Sequence, residues 1–177
     1  MNFEYSSGEE LTELIRQINV KYYDRFNANI LFIEELADRI FVVYIIVLRD
    51  AYSHLVRLFD YDILSEQGKK NVQNHLGEYV SHLQRGLLDT FRKILALEYK
   101  SLKKVIHRNN IQAIEYQVAQ KAASLRVMDG NNSVDRRIDG YMELMGFISD
   151  IRKKLADPAW LSLSKNCVTD RHPVLWA

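Results

Sequence analysis

An all-α fold, a single-domain antiparallel helical bundle of about five helices with two long central helices, is predicted by three features of the chain. Turn residues are sparse: 177 residues contain seven glycines and two prolines, and both prolines fall after residue 157. A sheet protein of this length needs more punctuation than that. Apolar residues recur instead at spacings of three and four over long stretches, which is the period of one helix face. Finally, 47% of the residues are hydrophobic, enough to fill one substantial core.

The elements follow in order. The first helix starts near Ser7, because Ser7-Gly8-Glu9-Glu10 reads as a capping box with Glu10 at the third helical position. Its core face is Leu11, Leu14, Ile15 and Ile18. The second helix is expected over about residues 29–61 and the third over about residues 69–107. Each is then roughly 45 Å long at 1.5 Å per residue. Joined through residues 62–68, the two are expected to pack antiparallel as a spine. The core stripe of the second is Phe41, Tyr44, Leu48, Ala51, Tyr52, Leu55 and Phe59. Residues 40–48 are apolar nearly all round, so this part is expected to be buried on several sides. The third carries its core stripe at Val72, Leu76, Val80, Leu83, Leu87, Phe91 and Ile94. A fourth helix spans about residues 110–127, and Asp129-Gly130-Asn131-Asn132 reads as a turn. The fifth starts at Asn132 or Ser133 and stops before Pro158, with Asp157 as the pre-proline residue. Residues 1–157 thus form the helical bundle. Residues 158–177, with Trp160 and Trp176, form an irregular tail that drapes over the bundle or meets another subunit.

Charge and cysteine content narrow the function. Lys and Arg number 24 against 23 Asp and Glu, a formal net charge of +1. A general nucleic-acid coat or a polybasic membrane binder shows a clear positive excess, which this chain lacks. Its one cysteine, Cys167, cannot form an intramolecular disulfide, and no cysteine cluster suggests zinc. The N-terminus has no basic segment followed by an apolar one, and the longest apolar run, residues 40–48, is about half a membrane span. A cytoplasmic protein with no membrane partner is expected. There is no Gly-rich phosphate loop and no Gly-x-Ser-x-Gly elbow, so neither a nucleotide cofactor nor a serine hydrolase is indicated.

Two polar faces stand out. On the second helix Arg49, Asp50, Ser53, His54, Arg57 and Tyr61 share a sector of about 140° opposite the core stripe. Asp50 and His54 are four residues apart, within reach of a hydrogen bond, and Arg57 follows His54 by three. On the third helix His75, Glu78, His82, Arg85, Asp89 and Arg92 repeat at spacings of 3, 4, 3, 4 and 3 as a seam. That seam fits a solvated face laced with i,i+3 and i,i+4 pairs, or a groove for a subunit or ligand. His75, Glu78 and His82 could also converge on a metal. The paired Glu-x-x-His motifs of carboxylate-bridged di-iron bundles are absent, and no metal is expected.

The segment Arg49-Asp50-Ala51-Tyr52-Ser53-His54 resembles the Arg-x4-6-His motif of the HEPN superfamily, in its form of Arg, a polar residue, three further residues and His. HEPN domains are small helical bundles that often dimerise and bring two motifs together. Many are metal-independent RNases of toxin–antitoxin, phage-defence and CRISPR systems; others bind RNA, nucleotides or partner proteins. The resemblance implies a metal-independent endoribonuclease or RNA-binding protein without a cofactor. It would act as a homodimer, with an antitoxin or complex subunit as a possible further partner. Arg49 would hold the scissile phosphate, His54 would serve acid/base transfer at the ribose 2′-hydroxyl, and Asp50 would orient the site. Ser53, Arg57, His82 and Arg85 would border it as substrate-binding residues. The chemistry is coherent, since His titrates near neutral pH and Arg clamps a phosphate without a metal. In many members the motif lies late in the domain, whereas here more than 100 residues follow it. Arg49 and His54 also stand about 140° apart on an ideal helix, so one ligand meets both only across a dimer or through long side chains. The alternative reading is a non-catalytic helical adaptor or oligomerisation module.

Overall fold

The computed structural model describes residues 3–109, 112–131 and 133–158, and the described residues are helical with no strand. Helix α1 (Gly8–Ile18) begins on the expected cap: the Ser7 hydroxyl accepts from the Glu10 amide at 3.2 Å. The Glu10 carboxylate reaches one residue further back than the motif requires, taking the Ser6 amide at 2.6 Å and the Ser6 hydroxyl at 2.7 Å. The helix does not stop near Ile18. It continues through a π-helical turn at Asn19–Tyr23 into α2 (Asp24–Ala37), burying Leu11, Ile18, Tyr22, Phe26, Ile30 and Ile33 along one side.

The single helix expected over residues 29–61 is in fact two. Asp38 takes a left-handed conformation at φ 51°, which a short polar side chain tolerates, and its amide returns to the Glu34 carbonyl. The Glu34 carboxylate then accepts from the Phe41 amide at 3.2 Å, and α3 (Val42–Arg57) starts afresh. With a new start comes a new phase. Tyr44, Ala51 and, in the 3-10 turn that follows at Leu58–Asp60, Leu58 are buried, while Tyr52 is exposed and Phe59 lies 83% exposed. The expected burial of residues 40–48 on several sides does not occur either. Ile40, Val42, Val43, Ile45 and Ile46 are all exposed, because neighbouring helices cover one face of α3 only.

Helix α4 (Glu66–Asn109) has 44 residues, about 66 Å of rod, and begins a few residues before the expected start. The Ser65 hydroxyl accepts from the Gly68 amide at 3.0 Å and donates to the Asp62 carbonyl, which closes the link from α3. All seven predicted stripe residues, Val72, Leu76, Val80, Leu83, Leu87, Phe91 and Ile94, are buried.

The chain forms two compact units, Met1–Ile94 and Leu95–Ala177. In the first, side-chain pairing fixes the directions. Gln73 of α4 meets Phe3, Tyr79 donates to Asn19, and Thr90 accepts from Asn29 at 3.0 Å, so numbers rise together and the α1–α2 rod runs parallel to α4. Along α3 the order reverses. Phe41 lies under Lys93, Tyr52 beside Tyr79, and His54 beside His75 and His82, so α3 runs antiparallel. The second unit contains the end of α4, α5 (Gln112–Asn131) and α6 (Val134–Ala156). α5 runs on through Asp129, Gly130 and Asn131, where a turn was expected; residues poor in helix propensity cost little in a last turn. Ser133 caps α6 by accepting from the Arg136 amide, and Asp157 is extended ahead of Pro158 as expected. Ile138, Tyr141, Leu144, Ile148, Ile151 and Leu155 form the buried face of α6, and Arg152 pairs with the nearly buried Glu98 at 2.6 Å. Among the described residues no buried side-chain nitrogen or oxygen lacks a partner. No helix among them is long and apolar enough to cross a membrane. Trp160, Cys167 and Trp176 lie outside the described residues.

Helices α2 and α4 approach each other closely at Gly86. A Cβ on Gly86 would stand 2.3 Å from the ring of Phe26, which is fully buried and has nowhere to move. Alanine in place of a mid-helix glycine ordinarily gains about 1 kcal/mol. Here Gly86→Ala is expected to destabilise the protein by about 1–3 kcal/mol through overpacking, read as a lower midpoint in denaturant titration. An unchanged or higher midpoint would contradict the Phe26–Gly86 contact.

Candidate functional site

The polar sector of α3 and the seam of α4 face each other. His54 on α3 places Nδ1 3.1 Å from Nδ1 of His75, and its ring stacks on His82 with centroids 5.4 Å apart and planes 26° from parallel. His75 in turn stacks on Tyr61, whose hydroxyl lies 3.0 Å from Nε2 of His75. Tyr61 reaches this position because the 3-10 turn at Leu58–Asp60 ends in an extended residue and turns the chain back toward α4. Glu78 completes the group: ligand-type atoms of His54, Glu78 and His82 all lie within 4.8 Å of one another. The three histidines are half-buried and Glu78 is exposed, so the cluster opens to solvent.

The chain Tyr61–His75–His54 admits one proton order at a time. When Nδ1 of His54 donates, Nδ1 of His75 accepts and its Nε2–H donates to the Tyr61 oxygen; in the other order every donor reverses. Protonating both histidines would set two N–H groups against each other. The titration follows suit. Burial pushes the His54 pKa below its ordinary 6.5, His82 and Arg57 push it the same way, and Glu78 and Asp50 oppose them. Burial also lowers His75, aided by His54 and Arg57 and opposed by Asp60 and Glu78.

The remaining predicted residues are placed differently. Arg49 is exposed and folds onto its neighbour, with Nη2 2.8 Å and Nε 3.1 Å from Oδ1 of Asp50. Asp50 therefore reaches His54 through its charge, while its carboxylate is bound to Arg49. The Ser53 hydroxyl turns back to the Asp50 carbonyl at 2.7 Å. Arg57 is exposed and acts on both His54 and His75 through its charge. Arg85 is exposed, and its Nε donates to the Ser81 carbonyl at 3.3 Å. Of the expected site residues, His54 and His82 are thus brought into ring contact. His75, Glu78 and Tyr61, named on the two faces but not as site residues, join them. The signal that finds His75 and Glu78 is shared phase, since both precede His82 on one seam; Tyr61 lies beyond the end of α3 and is placed by the 3-10 turn, which helical phase does not describe.

Comparison with protein-family models, with curated proteins and with solved structures gives no match. The site is therefore read from its own chemistry.

Because His54 and His75 are harder to protonate folded than unfolded, the unfolded chain binds more protons below about pH 6.5. Their contribution is complete above the ordinary imidazole pKa and is lost as pH falls through the lowered folded values. The melting temperature is expected to drop by a few degrees between about pH 7.5 and about pH 5. The double variant His54→Gln/His75→Gln should flatten that slope, and a slope that persists unchanged in it would assign the pH dependence to other groups.

Proposed function

We propose that the protein is a HEPN-like metal-independent endoribonuclease, or an RNA-binding relative, acting as a homodimer. The observation that carries this reading is that the histidine of the Arg-x4-His segment meets a second and a third imidazole across α3 and α4, with the Arg57 guanidinium acting on His54 and His75. Cleavage of RNA by its own 2′-hydroxyl needs a base for that hydroxyl, an acid for the departing 5′-oxygen and positive charge on the phosphate. His54 takes the 2′-hydroxyl proton. His82 delivers one to the 5′-oxygen, and the products are a cyclic 2′,3′-phosphate and a 5′-hydroxyl end. Arg57 supplies nearby charge. Arg49, exposed on the other flank of α3, exchanges Asp50 for phosphate or serves the partner subunit's composite site. His75, held by Tyr61, fixes the tautomer of His54. A dinucleotide lacking the 2′-hydroxyl would have no nucleophile, so RNA and not DNA is the substrate. A role in a toxin–antitoxin or phage-defence system, with an antitoxin as further partner, belongs to the same proposal.

A second reading, a non-catalytic helical adaptor or oligomerisation module, is favoured by one observation. Leu31, Phe32 and Leu36 of α2 and Ile40, Val42, Val43, Ile45 and Ile46 at the start of α3 leave large apolar side chains exposed. Clusters of this kind mark interaction surfaces more often than isolated exposed leucines do.

The deciding experiment is cleavage of mixed single-stranded RNA in EDTA. Wild-type protein is expected to cut and to leave cyclic phosphate ends. His54→Ala and His82→Ala should each cut at least ~100-fold more slowly while melting normally. Equal cutting by wild type and His54→Ala, or none by either, overturns the nuclease reading. Light scattering on Val43→Asp/Ile46→Asp tests the second: dissociation of an oligomer supports an assembly role for that face.

A further inference from the structure

We propose that His54, Glu78 and His82 bind a single divalent cation of the zinc class. Three observations converge. The three side chains come from two helices and offer two imidazole nitrogens and one carboxylate oxygen within 4.8 Å of one another. In a tetrahedral zinc site, ligands ~2.1 Å from the ion stand roughly 3.4 Å apart, so small rotations of half-exposed side chains complete the set. Glu78 and His82 are four residues apart on α4, which puts both over one turn and leaves His54 to close the triangle from α3.

The surroundings supply what a metal-bound imidazole needs. A ligating histidine donates its second N–H to an acceptor that fixes its tautomer. His54 has such an acceptor in Nδ1 of His75, 3.1 Å away, and Tyr61 in turn holds His75. His54 then ligates through Nε2. Of the two proton orders open to the Tyr61–His75–His54 chain, the ion selects the one in which His54 donates. Carboxylates also outnumber guanidinium groups around the pair: Glu78, Asp50 and Asp60 oppose Arg57, although Asp50 is shared with Arg49. Two imidazoles and one carboxylate favour Zn2+ and its late first-row neighbours over Mg2+ or Ca2+, which require oxygen ligands. Three protein ligands leave a fourth position facing solvent, for water or a small anion.

This proposal is independent of RNA. If the nuclease reading also holds, the bound ion withdraws His54 and His82 from proton transfer, and Zn2+ inhibits cleavage reversibly.

The test is titration of EDTA-stripped, dialysed full-length protein with Zn2+ against a chromophoric chelator, and with Co2+ followed by visible absorption. One Zn2+ per chain is expected, with the intense visible bands of four- or five-coordinate Co2+. His82→Ala should weaken binding at least ~100-fold, and Glu78→Gln and His75→Phe by about 10–100-fold. Cys167→Ser and His172→Ala, which change the two other metal-binding side chains of the C-terminal segment, should leave it unchanged. Circular dichroism of the unliganded variants separates loss of a ligand from loss of fold. Failure to compete with a weak chelator overturns the site, as does Co2+ that stays octahedral, binding untouched by His82→Ala, or binding lost with Cys167→Ser. RNA cleavage in EDTA would be unaffected by any of these results.

Discussion

Seven side chains on one face of α4, Val72, Leu76, Val80, Leu83, Leu87, Phe91 and Ile94, have to leave water together, and a single neighbouring helix cannot cover a stripe that long and that wide. The first unit is the consequence. The α1–α2 rod covers one flank and α3 the other, and each must run in the direction its link permits. The flanking positions of α4 are then no longer free. At about 100° per residue, His75 and His82 lie only about 20° apart and roughly 110–130° from the middle of the stripe, with Glu78 further out. That band borders α3. Burying the stripe therefore delivers two imidazoles to the α3 groove and leaves the carboxylate at its rim, in agreement with half-buried histidines and an exposed Glu78.

The same geometry explains why Arg49 and His54 part company. Once Tyr44, Ala51 and Leu58 set the inward face of α3, His54 falls on the flank toward α4 and Arg49 on the opposite flank, out in solvent. An exposed ion pair between adjacent residues contributes little to stability, about 0–1 kcal/mol. Asp50 is thus a resting partner that Arg49 can leave at small cost. The imidazole group is another matter, because its members hold one another through ring stacking and a directed hydrogen-bond chain. The segment divides into a half built into the packing and an exposed half on the surface.

How far each of these features was legible depends on whether its cause is local. The α4 stripe, the Ser7 and Ser133 caps and the pre-proline stop at Asp157 each rest on residues within a turn or two of one another, and all stand where the pattern placed them. The break at Asp38 has no such mark. It uses an aspartate where glycine is the usual residue, and it is held by the Glu34 carboxylate seven residues before the amide it accepts from. The expected core stripe lies wholly after the break, and its excess is local: Tyr52 and Phe59 flank an inward face that Tyr44, Ala51 and Leu58 define, and they stay exposed. Residues 40–48 failed for a different reason. Apolar composition states what a surface would gain by burial, not whether this chain supplies a cover for it. At the site, His54 and His82 were recognisable singly, but their meeting depends on the register of α3 against α4, which packing sets and no local pattern carries.

The register also sets the electrostatics of this cluster. A lone surface histidine would keep its ordinary affinity for protons and little affinity for anything else. His54 and His75, gathered beside Arg57 and partly withdrawn from water, hold protons less readily than they would apart, and the Tyr61–His75–His54 chain leaves no room for a proton on every donor. Unprotonated nitrogen lone pairs accumulate there at neutral pH. Such lone pairs accept a proton from a substrate hydroxyl or bind a soft divalent ion, and they cannot do both at once. The two proposals for His54 and His82, proton transfer and metal binding, therefore compete for one electrostatic arrangement. The rim bears on that competition: the Glu78 carboxylate favours a cation there, and the Arg57 guanidinium favours an anion.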